Sequence, residues 1–302
     1  MWQQLLGQIQ HGDRKALARA ISFIENEQQG FQDLLLHLSS AVRSKIIGIT
    51  GAPGSGKSTL TDALIGEIIK DKKKVGVLCV DPSSPFNRGA LLGDRIRMSE
   101  WYNHSDVFIR SLASKGSLGG LHPKIIEITD VMKNAGFDYI IVETVGVGQS
   151  EVDIASLADI TVVVLVPEGG DVIQTMKAGL MEVADIFVIN KYDRPDAATF
   201  YNNIQQMLAP VYHRSEKEIP IVKTIASQKE GIHQLYTLIS EWDFESHNDQ
   251  KLGLMTNRLW TIIQSRKMKT LDKQDIKNQL AKEINDKNFN LYRFAEKIYA
   301  GS

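Results

Sequence analysis

The chain has 302 residues, with 35 Lys or Arg against 36 Asp or Glu, so its formal net charge is −1. That balance leaves no electrostatic footprint for nucleic acid or an anionic membrane, and no apolar run approaches the roughly 20 residues that span a bilayer. The single cysteine, Cys79, cannot close an internal disulfide, and the segment from Met1 shows no secretory pattern, so a cytoplasmic protein is expected, large enough for one α/β domain with helical additions.

Residues 1–44 read as helical. Asp13 is placed to cap a helix in which Leu17, Ala18, Ala20, Ile21 and Ile24 recur at helical spacing, and Phe31, Leu34, Leu35, Leu36 and Leu38 suggest another. Packing material and partner surface are both open readings of this segment. From 45 to 242 apolar runs alternate with amphipathic helices. Strands are expected over 45–50, 75–80, 106–110, 138–143, 160–166, 185–190 and 220–224. Several are near-continuous Val/Ile runs, as for strands covered on both faces. The expected fold class is α/β: a mostly parallel, doubly wound sheet with ligands at the carboxyl ends of its strands. After a polar stretch near 245–250, helix patterns return around 252–266, 273–284 and 291–299. The expected division is therefore 1–44, 45–242 and 243–302. The last piece is either a solvated helical extension or an oligomerisation arm, since its segments are too sparse for a core.

Chemistry enters at Gly51-Ala52-Pro53-Gly54-Ser55-Gly56-Lys57-Ser58-Thr59, between an apolar strand and a helix pattern running to Lys70. Strand, G-x-x-x-x-G-K-S and helix together form a phosphate-binding loop. Its glycines allow the close backbone approach by which successive N–H groups surround a β-phosphate, and the helix N-terminus adds unsatisfied donors. Lys57 would neutralise the β- and γ-phosphates, and Ser58 would ligate Mg²⁺. Asp81 closes the second strand and Asp94 follows in Leu91-Leu92-Gly93-Asp94-Arg95. Each alone reads as a turn former or helix cap; beside a phosphate loop, each reads as a carboxylate for Mg²⁺ or its waters.

Tyr139–Glu143 is an apolar strand ending in an acid, with Gly146 three residues on. That is the pattern in which the acid helps hold Mg²⁺ and the glycine N–H senses the γ-phosphate. Glutamate in place of the commoner aspartate reaches one methylene further and favours contact through water. Val147 stands where regulatory GTPases place a water-orienting glutamine. Unaided hydrolysis is expected to be slow, as in small GTPases at roughly 10⁻⁴ s⁻¹, unless Gln149 or a partner compensates.

Base choice rests on Asn190-Lys191-Tyr192-Asp193 after the strand Phe187–Ile189. The Asp193 carboxylate accepts from guanine N1–H and the 2-amino group together, whereas adenine would leave it unpaired. The Lys191 stem lies along the base plane, Asn190 braces the loop, and Ala226, Ser227 and Gln228 offer backbone N–H groups near the guanine carbonyl. GTP and GDP are the expected ligands. The seven histidines show no ligand spacing, and Lys115 within Ser114–Gly120 reads as part of a flexible loop for a partner or simply a connection.

Together, Val80–Ser84, Leu91–Arg95 with Arg97-Met98, Gly116–Gly120, Val142–Glu151 and Gly12–Ile21 resemble the MeaB/ArgK family, GTPases associated with methylmalonyl-CoA mutase. The resemblance covers most of the chain and weakens after about residue 245. It implies a homodimeric, Mg²⁺-dependent GTPase that chaperones an adenosylcobalamin-dependent acyl-CoA mutase, gating cofactor loading and protecting the enzyme. On that analogy Ser58, Asp81, Asp94 and Glu143 organise Mg²⁺, and Pro167–Lys177 is a further switch, though Asp171-Val172-Ile173-Gln174-Thr175-Met176-Lys177 departs from the family's usual continuation. Ser84–Ala90 and Asp94–Arg97 also resemble the GTPase portion of fused isobutyryl-CoA-type mutases, which leaves the partner mutase open. Three other classes stand beside this reading: a transport-associated ATPase or kinase, a metal-insertion GTPase for nickel or cobalt, and a scaffold that binds GTP without hydrolysing it.

Overall fold

A computed structural model describes residues 2–39, 44–81, 98–114, 121–146, 150–168, 183–212, 218–242, 248–268, 271–284 and 289–300. It divides into two compact units, Met1–His247 and Asn248–Ser302. The first is built on a seven-stranded sheet: β1 (Lys45–Thr50), β2 (Val75–Asp81), β3 (Val107–Ala113), β4 (Tyr139–Glu143), β5 (Ile160–Leu165), β6 (Ile186–Ile189) and β7 (Ile221–Lys223). The order across the sheet is β3-β2-β4-β1-β5-β6-β7, and every pairing is parallel. Strands fall where the apolar runs placed them. The one clear extension is at β3, where Ser111–Ala113 continue pairing with Cys79–Asp81 although the apolar run has ended.

Two faces are read from the pleat, since neighbouring residues of a strand point opposite ways. Ile47, Ile49, Val77, Cys79 and Ile141 pack under α4 (Lys57–Lys70) together with Leu60, Leu64 and Ile68. Ile46, Leu78, Val80, Ile140 and Val142 face the other way, against α5 (Ile125–Lys133) and α6 (Ser150–Leu157). Val163, Phe187 and Ile189 continue that second face under α7 (Ala197–Tyr212). After β7 the helix α8 (Ile232–Ser240) returns to the first face, contributing Leu235 and Ile239 to the core beneath α4. Each fully buried Ile or Leu in these layers contributes about 1.5–3 kcal/mol over leaving it in water.

The N-terminal helices α1 (Trp2–Gln10), α2 (Arg14–Glu25) and α3 (Phe31–Leu36) belong to this same core rather than lying apart from it. Ile9, Leu17, Ile21, Ile24 and Leu34 share a continuous cluster with Ile128 and Met132 of α5 and Phe108 of β3. Asp13 caps α2 as its sequence position required, its Oδ1 accepting from Lys15 N (2.8 Å) and Ala16 N (3.0 Å). Arg110 of β3 donates to Glu25 (2.7 Å) and Ser22 (3.0 Å), and Lys124 pairs with Glu27 at 3.1 Å.

The second unit holds α9 (Asn248–Met268), α10 (Lys273–Glu283) and α11 (Leu291–Ala300). Asp272 caps α10 through Gln274 N, and Asn290 Oδ1 accepts from Tyr292 N and Arg293 N at the start of α11. Leu252, Met255, Leu259 and Ile263 recur at three- and four-residue steps along α9, and all are exposed. No helix of the described residues is long and apolar enough to cross a membrane.

Candidate active site

The phosphate loop leaves β1 at Gly51 and enters α4 at Lys57, beside β5. Adjacent β1 and β5 send the chain to opposite sides of the sheet, one to β2 and the other to β6. Such a switch point leaves a crevice at the carboxyl edge. Gly56 has φ 90°, and a Cβ there would meet Asn190 Nδ2 at 2.3 Å. Only glycine fits that contact. The Lys57 ammonium folds over the loop, donating to Gly51 O (2.9 Å) and Ala52 O (3.1 Å). Ser55 is fully buried in the loop, and its Oγ has no hydrogen-bond partner among the described residues. A buried hydroxyl of that kind inside a glycine-rich loop suits one that closes around an anion.

Glu143 ends β4 on the face toward α4, two residues beyond Ile141. It is buried, and its two oxygens are taken by two hydroxyls of α4: Ser58 Oγ donates to Oε1 at 2.6 Å and Thr61 Oγ1 to Oε2 at 3.0 Å. The acid therefore reaches the loop serine directly. Asp81 ends β2 on the same face, two residues past Cys79, which pairs with Glu143 in the register. Among the described residues no three His, Cys, Asp or Glu side chains cluster closely enough to hold a metal by themselves. Ser58 and Glu143 are brought together here, and Asp81 ends the neighbouring strand on the same face; all three offer oxygens, the hard donor type that Mg²⁺ takes. Asp94 lies outside the described residues, as do Val147, Gln149, Lys115–Gly120 and Gly169–Lys177.

Gly146 brings the end of β4 against the phosphate loop. A Cβ on it would stand 2.4 Å from Gly51 O and 2.6 Å from Lys57 Nζ, and its φ is 81°. Two threonines fix the approach: Thr144 N donates to Ile49 O (3.0 Å), and the hydroxyls of Thr50 and Thr144 bond at 2.9 Å.

On the other side, Asn190 ties three segments into one wall. Its Nδ2 donates to Ser55 O (2.9 Å), while its Oδ1 accepts from Thr224 Oγ1 (3.1 Å) and Ala226 N (3.1 Å). Ala226–Gln228 forms a 3-10 turn, and Tyr192 N donates to Thr224 O (3.1 Å), so the two base-side loops are stitched together. Lys191 takes a left-handed conformation (φ 56°), and Asp193 is exposed at the carboxyl edge. Glu168, just past β5, reaches Arg194 Nε (3.3 Å) and Lys191 Nζ (3.8 Å). Tyr192 is braced from behind, with the Lys223 ammonium over its ring and that of Tyr201.

The motifs thus meet: loop, acid, switch glycine and Asn-Lys-x-Asp all line one edge of the sheet. Sequence reasoning missed Thr61, although its position one helical turn after Ser58 was a signal; it gave no individual role to Thr144 and Glu168, which lie inside the Val142–Glu151 and Pro167–Lys177 strings that carry the family resemblance.

The whole chain has the fold of a crystal structure described as a LAO/AO transport system kinase, with a TM-score of 0.64 over 99% of this chain and 96% of that one at 23% identity. A protein of Pyrococcus abyssi named as a GTPase is 45% identical over 245 residues, covering 80% of this chain and 76% of its own. A fused isobutyryl-CoA mutase of Geobacillus kaustophilus is 35% identical over 237 residues, which are 74% of this chain and 22% of that longer protein. Residues 17–285 match the family described as methylmalonyl Co-A mutase-associated GTPase MeaB, and the chain belongs to that family as one of its GTPases.

Proposed function

We propose that this chain is a Mg²⁺-dependent GTP-hydrolysing switch that acts as a chaperone for an adenosylcobalamin-dependent acyl-CoA mutase, gating cofactor loading and protecting the enzyme. The observation that carries the switch reading is the seat of Gly146 against Gly51 O and Lys57 Nζ. A γ-phosphate arriving at Lys57 would meet the Gly146 N–H and so bear on the chain that follows it. The family's association and the fused isobutyryl-CoA mutase relative support the kind of partner.

In this mechanism the loop N–H groups hold the β-phosphate, and Lys57 exchanges two neutral carbonyls for phosphate oxygens, a stronger charge-assisted pairing. Gly146 N–H donates to the γ-phosphate, and Glu143 orients Ser58. Mg²⁺, when bound, would supply charge neutralisation for the phosphates. Ser58 and Glu143, with Asp81 and Asp94 on the carboxyl edge, would hold it and its waters. Water attacks the γ-phosphorus in line, giving GDP and phosphate. Asp193, Lys191 and the Ala226–Gln228 turn would take guanine, with Asn190 fixing their distance from the phosphate loop. The exposed stripe Leu252, Met255, Leu259 and Ile263 supports residues 243–302 as the arm of a homodimer.

Asp193→Asn tests the base assignment. The variant should lose GTP affinity by about tenfold or more, the worth of a charge-assisted pair, and gain affinity for xanthosine triphosphate. Equal preference for GTP in variant and parent would refute it.

A further inference from the structure

We propose that Thr61 is a positioning residue for the metal-bound nucleotide: its hydroxyl locks the Glu143 carboxylate, and through it the orientation of Ser58. The inference rests on the assignment of Ser58 and Glu143 to Mg²⁺–GTP made above.

Thr61 lies on α4 three residues after Ser58, on the same side of the helix. It is fully buried. A threonine inside a helix commonly returns its hydroxyl to a carbonyl one turn earlier. Four others among the described residues do so: Thr129 donates to Ile125 O (2.9 Å), Thr237 to His233 O (3.0 Å), Thr256 to Leu252 O (2.8 Å) and Thr261 to Asn257 O (2.9 Å). The Thr61 hydroxyl instead crosses to β4 and donates to Glu143 Oε2 at 3.0 Å.

The use of that exception follows from the length of glutamate. Glu143 has one more rotatable bond than the aspartate found at the end of many such strands, so its carboxylate has more orientations to be held against. With Thr61 on Oε2, Oε1 is presented to Ser58 Oγ at 2.6 Å. With its proton donated to Glu143, the serine hydroxyl can meet a cation only through its oxygen. Thr61 touches neither nucleotide nor reacting water; it acts through Glu143.

The test is a Mg²⁺ titration of a fluorescent, non-hydrolysable GTP analogue, reading the Mg²⁺ that half-saturates the slowing of its release, beside GTP turnover. Thr61→Val keeps the shape and removes the donor. It should raise half-saturating Mg²⁺ about tenfold, the worth of a hydrogen bond to a charged group, while binding of the analogue in EDTA stays unchanged. Thr61→Ser restores the hydroxyl and should titrate like the parent. If the valine variant fails to fold, Thr61→Ala carries the same expectation. A parent-like titration of Thr61→Val, or equal shifts in Thr61→Val and Thr61→Ser, overturns the proposal. Ser58→Ala run in parallel separates the two levels. It should lose most of the Mg²⁺ response. If it keeps it, the metal assignment falls and takes the Thr61 role with it; if it loses it beside a normal Thr61→Val, only the Thr61 role falls.

Discussion

Gly146 is a residue at which the site has no room to spare. Its positive φ and its contacts with Gly51 O and Lys57 Nζ leave no space for a methyl group. Gly146→Ala should therefore push the end of β4 away from the loop and place strain of about 1 kcal/mol or more on a left-handed backbone position. We expect GTP hydrolysis to fall at least tenfold while GDP, which lacks the γ-phosphate, still binds; stopped-flow binding and phosphate release measure both. Lys57 has the opposite character. It is held by two carbonyls of its own loop, a pairing that a phosphate outcompetes at small structural cost.

At the scale of elements, α4 carries most of the site's organisation. Its first residue is Lys57, Ser58 and Thr61 hold Glu143, and its outer side is tied to neighbouring segments. Tyr236 OH of α8 donates to Asp71 (2.6 Å) just past its end, and Trp101 Nε1 donates to Asp62 Oδ1 (2.8 Å). Burial raises the Asp62 carboxyl above its ordinary range, and the Trp101 donor only partly opposes that. A raised carboxyl favours folding while protonated, so stability falls as pH rises through its folded value. Asp62→Asn keeps an acceptor for Trp101 and removes the buried charge. It should stabilise the protein at pH 7, and the gain should fade as pH drops below the ordinary carboxylate range, where Asp62 is protonated in both states; thermal melts at pH 7 and at about pH 2.5 check this.

These elements also show what was legible in the chain. Strands buried on both faces announce themselves as Val/Ile runs, as at β1, β4 and β5, and the remaining strands were placed from apolar runs between helix patterns. The far end of β3 was not, because Arg110 and Ser111 are polar and only the register with β2 reveals that pairing continues. The phosphate loop and Asn-Lys-x-Asp were legible because their chemistry is packed into a few consecutive residues. The stitching between them was not. Asn190 meets Ser55 across 135 residues and Thr61 meets Glu143 across 82, and no local pattern encodes a partner so distant. The N-terminal helices were legible as helices, but their place in the sheet's own core depended on long-range packing against α5 and β3.

For the molecule as a whole, the sheet unit contains every described part of the candidate site, and the three C-terminal helices form a unit of their own. A protein ending at Trp242 should therefore bind GTP like the full chain. If the α9 stripe is the dimer arm, sedimentation should find the full chain dimeric and the shortened one monomeric; a shortened protein that remains dimeric would place the interface elsewhere. In the proposed function the nucleotide site serves a partner rather than rapid turnover. That is tested most directly by measuring steady-state GTP hydrolysis by the full-length protein, alone and with a saturating adenosylcobalamin-dependent acyl-CoA mutase from the same organism. Turnover alone should be slow, well below one per second, and should change at least tenfold with the mutase present. Turnover of tens per second without a partner, or a rate indifferent to the mutase, would contradict it.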